Sequence, residues 1–192
     1  MKAPNLPREV RQGIAVTAGM AVAGVVAGGI WAVLAPPATG VVGWTRAGEL
    51  LHGYVRNDAE HFFDSAVMMA GLLFVVAVVS AVLMWQWRSA RGPAMVIGLV
   101  TGGVAAAGTA AGVGAGLVRL RYGHTDFASV PADHKVHYVT EAPAVFFGHS
   151  PVQVIAGLLL PSAVAALTYA IIAAGSPDDD LGVVPSVAQT VG

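Results

Sequence analysis

Residues Pro93–Val118 read PAMVIGLVTGGVAAAGTAAGVGAGLV, 26 residues without a Lys, Arg, Asp, Glu or His. A helix rises about 1.5 Å per residue, so roughly 20 apolar residues cross a hydrocarbon core about 30 Å thick. This run is long enough. So are Gly13–Ala35, Ser65–Trp85 and Pro151–Ala174, of 23, 21 and 24 residues. All ten Lys and Arg and all eleven Asp and Glu of the 192-residue chain lie outside these four stretches, as do all six histidines. Chance does not sort charge this way.

With no water in the bilayer core, backbone N–H and C=O groups must pair internally, which leaves helices or a closed barrel. Barrel strands alternate apolar and polar residues, and these uninterrupted runs do not. The expected fold is an all-α membrane protein: a four-transmembrane-helix bundle with two extracytoplasmic loops, 36–64 and 119–150, forming a small cap. Tails 1–12 and 175–192 flank the membrane domain 13–174, and the second tail is acidic at Asp178, Asp179 and Asp180. The first run exceeds the 7–15-residue apolar core typical of a signal peptide, so it is expected to be a retained span. There is no cysteine, hence no disulfide.

Basic residues set the expected orientation. Lys2, Arg8 and Arg11 precede the first span, and Arg88 and Arg91 sit in the short turn between spans two and three. Basic flanks favour the cytoplasmic side, which puts both termini inside a plasma membrane. Trp31, Trp44, Trp85, Trp87 and Tyr122 fall near span ends, where an apolar ring with a polar tip suits the headgroup layer.

Span three also carries a packing pattern. Gly98, Gly102, Ala106, Ala110 and Gly114 recur every four residues, and Gly108, Gly112 and Gly116 form a second row. Residues four apart share a helical face, and small residues there let another backbone approach where lipid supplies no hydrophobic drive. Span one repeats the device with Ala15, Gly19, Ala23 and Ala27, plus Gly24 and Gly28. Spans one and three are expected to form the close-packed centre. Span two, rich in Leu, Phe and Val, is expected to face lipid. Pro161 interrupts span four and is expected to kink it.

Chemistry is sparse. No ionisable group lies inside a span, which argues against ion coupling, since a charge at mid-membrane marks such machines. The chain lacks a H-E-x-x-H pair, a nucleophile elbow, a Walker loop and a Rossmann fingerprint. No catalytic residue and no cofactor is expected. A net charge of −1 without a basic patch gives nucleic acid no purchase. Asp58, His61 and Asp64 fall at three-residue spacing, and Asp133, His134 and His137 form a second set. Zinc needs three or four converging ligands, so His61, Asp64, His134 and His137 are the candidate ligands if the loops meet. The plainer expectation is that Asp58 and Asp64 stabilise the start of span two.

The first loop, with Trp44, Leu50, Leu51, Tyr54 and Val55, is compatible with a short amphipathic helix in the interface. Each loop ends on a similar phrase, His61-Phe62-Phe63-Asp64 and Phe146-Phe147-Gly148-His149, which hints at a duplicated helix–loop–helix unit.

Trp31-Ala32-Val33-Leu34-Ala35-Pro36-Pro37, His61-Phe62-Phe63-Asp64 and the glycine-rich third span resemble an actinobacterial, mycobacterial-type family of four-pass membrane proteins known as a domain of unknown function. The resemblance covers roughly residues 13–174. It implies a plasma-membrane location and supplies no activity, cofactor or site residue. The expected role is a non-catalytic accessory or scaffold subunit of a larger respiratory, envelope or transport complex, its partners being the bilayer and another membrane protein or a second copy. The alternatives are an extracytoplasmic metal- or ligand-binding protein using the loop His and Asp residues, and a transporter of a small apolar substrate.

Overall fold

A computed structural model describes residues 7–45, 48–88, 91–123 and 136–176. Four helices dominate it: α1 (Arg8–Leu34), α2 (Glu60–Gln86), α3 (Pro93–Tyr122) and α4 (Pro151–Ala174), of 27, 27, 30 and 24 residues. Each is long and apolar enough to cross a membrane. They overrun the charge-free stretches by up to a turn or more, because Arg, Glu and Tyr continue a helix beyond the oil without penalty.

The connections correct the all-α expectation. Strand β1 (Ala38–Trp44) pairs antiparallel with β2 (Leu50–Tyr54) on one side and with β3 (His137–Glu141) on the other. The residues expected to make an amphipathic helix instead build this sheet, with Trp44 opposite Leu50 across the hairpin. The reason is local. Pro36 and Pro37 break any helix entering from α1, and Gly40 and Gly43 disfavour a new one. Thr39, Val41, Val42 and Trp44 are residue types that suit a pleated surface. Burial alternates along β1, with Ala38, Gly40 and Val42 turned inward. Gly48, at φ +79°, sits in the hairpin turn, a conformation glycine reaches without steric cost.

Because β1 comes from the first long connection and β3 from the second, the sheet ties both to one end of the bundle. The hint of duplication finds no support among the described residues, where one connection makes a hairpin and the other a single strand. Phe62 and Phe63 lie in the first turn of α2, whereas Phe146 and Phe147 precede α4.

In the bundle, α1 lies along α3, and α4 packs on both α2 and α3. Val16, Met20, Trp31, Leu73, Leu99 and Tyr169 are among the large core side chains. Helix α2 turns Phe74, Val75, Val79 and Val82 outward, but Leu73 is buried. Helix α4 runs through Pro161 as one element, and Pro161 is buried. Beside it Ser162 donates its hydroxyl across to the carbonyl of Val100 on α3, at 2.7 Å. Gly103 makes that approach possible, since a Cβ there would stand 2.6 Å from the Ser162 backbone.

Candidate functional site

Two features stand out: the glycine faces of the helices, and a cleft where the bundle meets the sheet.

The α1–α3 contact is built from missing side chains. A Cβ on Gly28 would stand 2.9 Å from Cα of Ala110, and one on Gly24 would stand 2.7 Å from Cα of Ala106. On α3, a Cβ on Gly98 would meet Gly13 at 3.1 Å, and one on Gly102 the sulfur of Met20 at 2.5 Å. Gly114 makes room for the indole of Trp31. Close approach then permits polar cross-links. The Thr109 hydroxyl stands 2.9 Å from the carbonyl of Ala21 on α1 and from that of Ala105 on its own helix. Thr17 and Thr101 hydroxyls pair at 2.8 Å. Such bonds are individually modest in membranes, about 0.6 kcal/mol on average, so backbone proximity carries most of the contact.

Not every small residue of the expected face takes part. Gly24, Gly28, Ala106 and Ala110 are buried between the two helices, whereas Gly19 is exposed with nothing within 4 Å of a Cβ, and Ala23 is half-buried. The row through Met20, Gly24, Gly28 and Ala32 faces α3. The row through Ala15, Gly19, Ala23 and Ala27 is rotated by one residue, about 100° of helix, and of its four members only Ala27 is buried. The second row of α3 is different again. Gly108, Gly112 and Gly116 are all exposed, and none has a heavy atom within 4 Å of a built Cβ.

The second feature is a cleft of about 820 Å³. Phe62 and Phe63 of α2, Val118 and Arg119 of α3, and Phe146 and Phe147 before α4 contribute to its walls, with Tyr54 and Glu141 of the sheet above. Gly157 seats the Phe146 ring, for a Cβ there would lie 2.8 Å from it. Ser150 and Gln153 cap α4 reciprocally, fixing where the 142–149 segment ends. Phe63 and Phe147 stack tilted at 5.6 Å on the outer rim.

Glu141 is the organised polar group of the cleft. His52 Nε2 lies 2.7 Å from one carboxylate oxygen, and the Tyr54 hydroxyl donates to the other at 3.5 Å. Tyr54 packs edge-on against both His52 and Phe62. Burial, with a smaller contribution from the neighbouring Glu141 charge and hydrogen bond, holds the Tyr54 phenol above the ordinary tyrosine value. Gly40 lies beneath the pair. A Cβ there would stand 2.6 Å from the Glu141 carboxylate and 3.1 Å from His52 Nε2.

The expected metal ligands do not come together among the described residues, where no three His, Asp or Glu side chains form a ligand group. The nitrogen Nδ1 of His61 lies 2.9 Å from the carbonyl of Pro37. Asp64 is exposed on α2, and His137 is half-buried in β3. His134, with Asp133, lies outside the described residues. Nor does Asp58 cap α2, whose N-terminus has no side-chain cap. It accepts the Thr39 N–H at 3.0 Å, and its carboxyl is held below the usual range first by the Thr39 side-chain hydroxyl and then by that N–H, with His61 and Arg56 helping. Asp58 and His61 thus latch the start of α2 to the segment entering β1. Sequence reading did not bring Glu141 together with His52 and Tyr54, because Glu141 is 89 and 87 residues from them and meets them only through strand register.

The family model described as "Protein of unknown function (DUF2567)" matches residues 20–183. The chain belongs to the DUF2567 family. The DUF2567 match takes in α2, α3, α4 and the sheet, together with most of α1. The chain is 51% identical over 172 residues to "Uncharacterized protein Rv1591" of Mycobacterium tuberculosis, covering 88% of this chain and 89% of the relative. It is likewise 51% identical over 180 residues to "Uncharacterized protein ML1222" of Mycobacterium leprae, covering 93% and 91%. No solved structure gives a significant match to this DUF2567 chain.

Proposed function

We propose that this chain is a non-catalytic accessory or scaffold subunit of a larger membrane assembly, lying in the plasma membrane with both termini cytoplasmic and the sheet outside. One observation carries the reading. The chain fills one glycine row of α3 with its own α1, and leaves the other, Gly108, Gly112 and Gly116, open along the outside of the bundle. Glycine costs a helix about 1 kcal/mol relative to alanine, so three in a row on a surface that touches only lipid bring nothing. A second helix backbone lying along them, from another subunit or a second copy, recovers that cost through close packing.

The test is co-purification from native membranes in mild detergent, with bound proteins identified by mass spectrometry. Gly112→Leu is expected to lose the partner while the bundle stays folded, and Val79→Leu, on the outward side of α2, is expected to keep it. A lone monomer from the unaltered chain, or equal recovery with both variants, contradicts the reading.

A further inference from the structure

The cleft between the sheet and the bundle is independent of the open glycine row, and we infer that it binds one phospholipid-type amphiphile by its acidic headgroup. Depth comes first. The apolar runs of α2, α3 and α4 stop at Ser65, Val118 and Pro151. Phe62, Phe63, Arg119, Phe146, Phe147 and His149 therefore all lie within about a turn or so of the oil boundary, at headgroup level. Size is next: about 820 Å³ falls in the range of roughly 300–1,000 Å³ usual for small-molecule sites.

The walls divide by chemistry. Phe62, Phe146 and Val118 offer an apolar surface, and the exposed Phe63 and Phe147 rings at the rim flank a path toward the bilayer for an acyl chain. Among the described residues, two charged side chains line the cleft, Arg119 and Glu141. The oxygens of Glu141 are engaged by His52 and Tyr54. Arg119 is exposed, and no hydrogen bond or ion pair engages its guanidinium among the described residues. Its neighbour Arg121 is turned instead onto the Tyr122 ring, at 5.3 Å. Guanidinium groups bind phosphate through paired, charge-assisted hydrogen bonds. The available charge in the cleft is therefore a cation beside an aromatic slot, which suits an acidic head joined to an apolar tail.

The experiment uses the full-length chain, purified and delipidated in detergent, with bound lipid counted by native mass spectrometry. Short-chain phosphatidylglycerol is expected to bind once per chain, more tightly than phosphatidylcholine or phosphatidylethanolamine of equal chain length. Inorganic phosphate is expected to bind far more weakly than any of them, which separates a lipid head from a free anion. Arg119→Gln is expected to weaken phosphatidylglycerol by about tenfold, the scale of one lost charge-assisted contact, while Arg121→Gln leaves it unchanged. Phe146→Ala is expected to weaken all three lipids alike. Indifference of the unaltered chain to headgroup charge, a preference for phosphatidylethanolamine, equal binding by the Arg119→Gln and unaltered chains, or phosphate binding as tight as the lipid overturns the proposal. The headgroup comparison needs no variant, so it stands even if one fails to fold.

Discussion

The indole Nε1 of Trp31 donates to the backbone carbonyl of Ser65 at 2.7 Å, joining the last turn of α1 to the first turns of α2. Trp31 is fully buried, and its ring rests where Gly114 of α3 has no side chain. Ser65 in turn donates its hydroxyl to the carbonyl of His61, at 2.6 Å, and lies 3.3 Å from that of Pro36. One residue thus joins three helices just below the sheet. Trp31→Phe keeps an aromatic ring but loses the donor and part of the volume. It is expected to destabilise the bundle by about 1–3 kcal/mol, read as a lower midpoint in detergent unfolding. An unchanged midpoint would show that the bond and the fit contribute nothing.

Gly28 and Gly19 give opposite expectations for the same substitution. At Gly28 an added methyl meets the Ala110 backbone, which cannot step aside as a flexible side chain can, so Gly28→Ala is expected to cost roughly 1–3 kcal/mol. At Gly19 nothing lies within 4 Å, and Gly19→Ala is expected to stay within about 0.5 kcal/mol of the unaltered chain. Thermal unfolding of both variants in one detergent decides it. Equal midpoints would refute the assigned contact face.

The sheet cluster predicts a titration. The Tyr54 phenol ionises above the ordinary tyrosine value, first through burial and then through Glu141. A raised native value means that its contribution to stability is complete below the unfolded tyrosine value. That contribution is lost as pH rises through the native value. Glu141→Gln removes the charge but not the burial, so it is expected to move the phenol only part of the way back. Ultraviolet difference titration against Tyr54→Phe isolates the signal. A full return to the ordinary value would assign the whole effect to Glu141.

Asp58 works in the other direction. Its native value is depressed, chiefly by the hydrogen bond from the Thr39 side chain and next by the Thr39 N–H it accepts. Its contribution is therefore present above the unfolded aspartate value and is lost as pH falls through the lower native one. The protection of the Thr39 amide, measured against its intrinsic exchange rate at each pH, is expected to fall at acid pH in the unaltered chain, and to be low at every pH in Asp58→Ala. High protection in that variant would show that the latch is held by something else.

The four long helices were legible because each is decided by its own composition: a charge-free run of 21 residues or more has few other fates. The sheet was not legible. Its strands are five to seven residues long, and short apolar stretches such as Leu50–Tyr54 suit a helix or a strand until a partner is known. Thr39, Val41 and Val42 after two prolines were the available signal. Which glycines touch was legible only to within one residue, since rows one residue apart look alike in sequence yet face different directions. The His52–Glu141 pair, 89 residues apart in the chain, depends wholly on β1 lying between β2 and β3.

The open row on α3 is tested most directly by cross-linking, and the chain's lack of cysteine makes the measurement clean. Single cysteines at Gly112, on that row, and at Val79, on the outward side of α2, are treated with a short cross-linker in native membranes. The account predicts one discrete heavier adduct with Gly112→Cys and none with Val79→Cys, an adduct of twice the chain mass identifying a second copy. Absence of any adduct from both positions, or the same adducts from both, contradicts it.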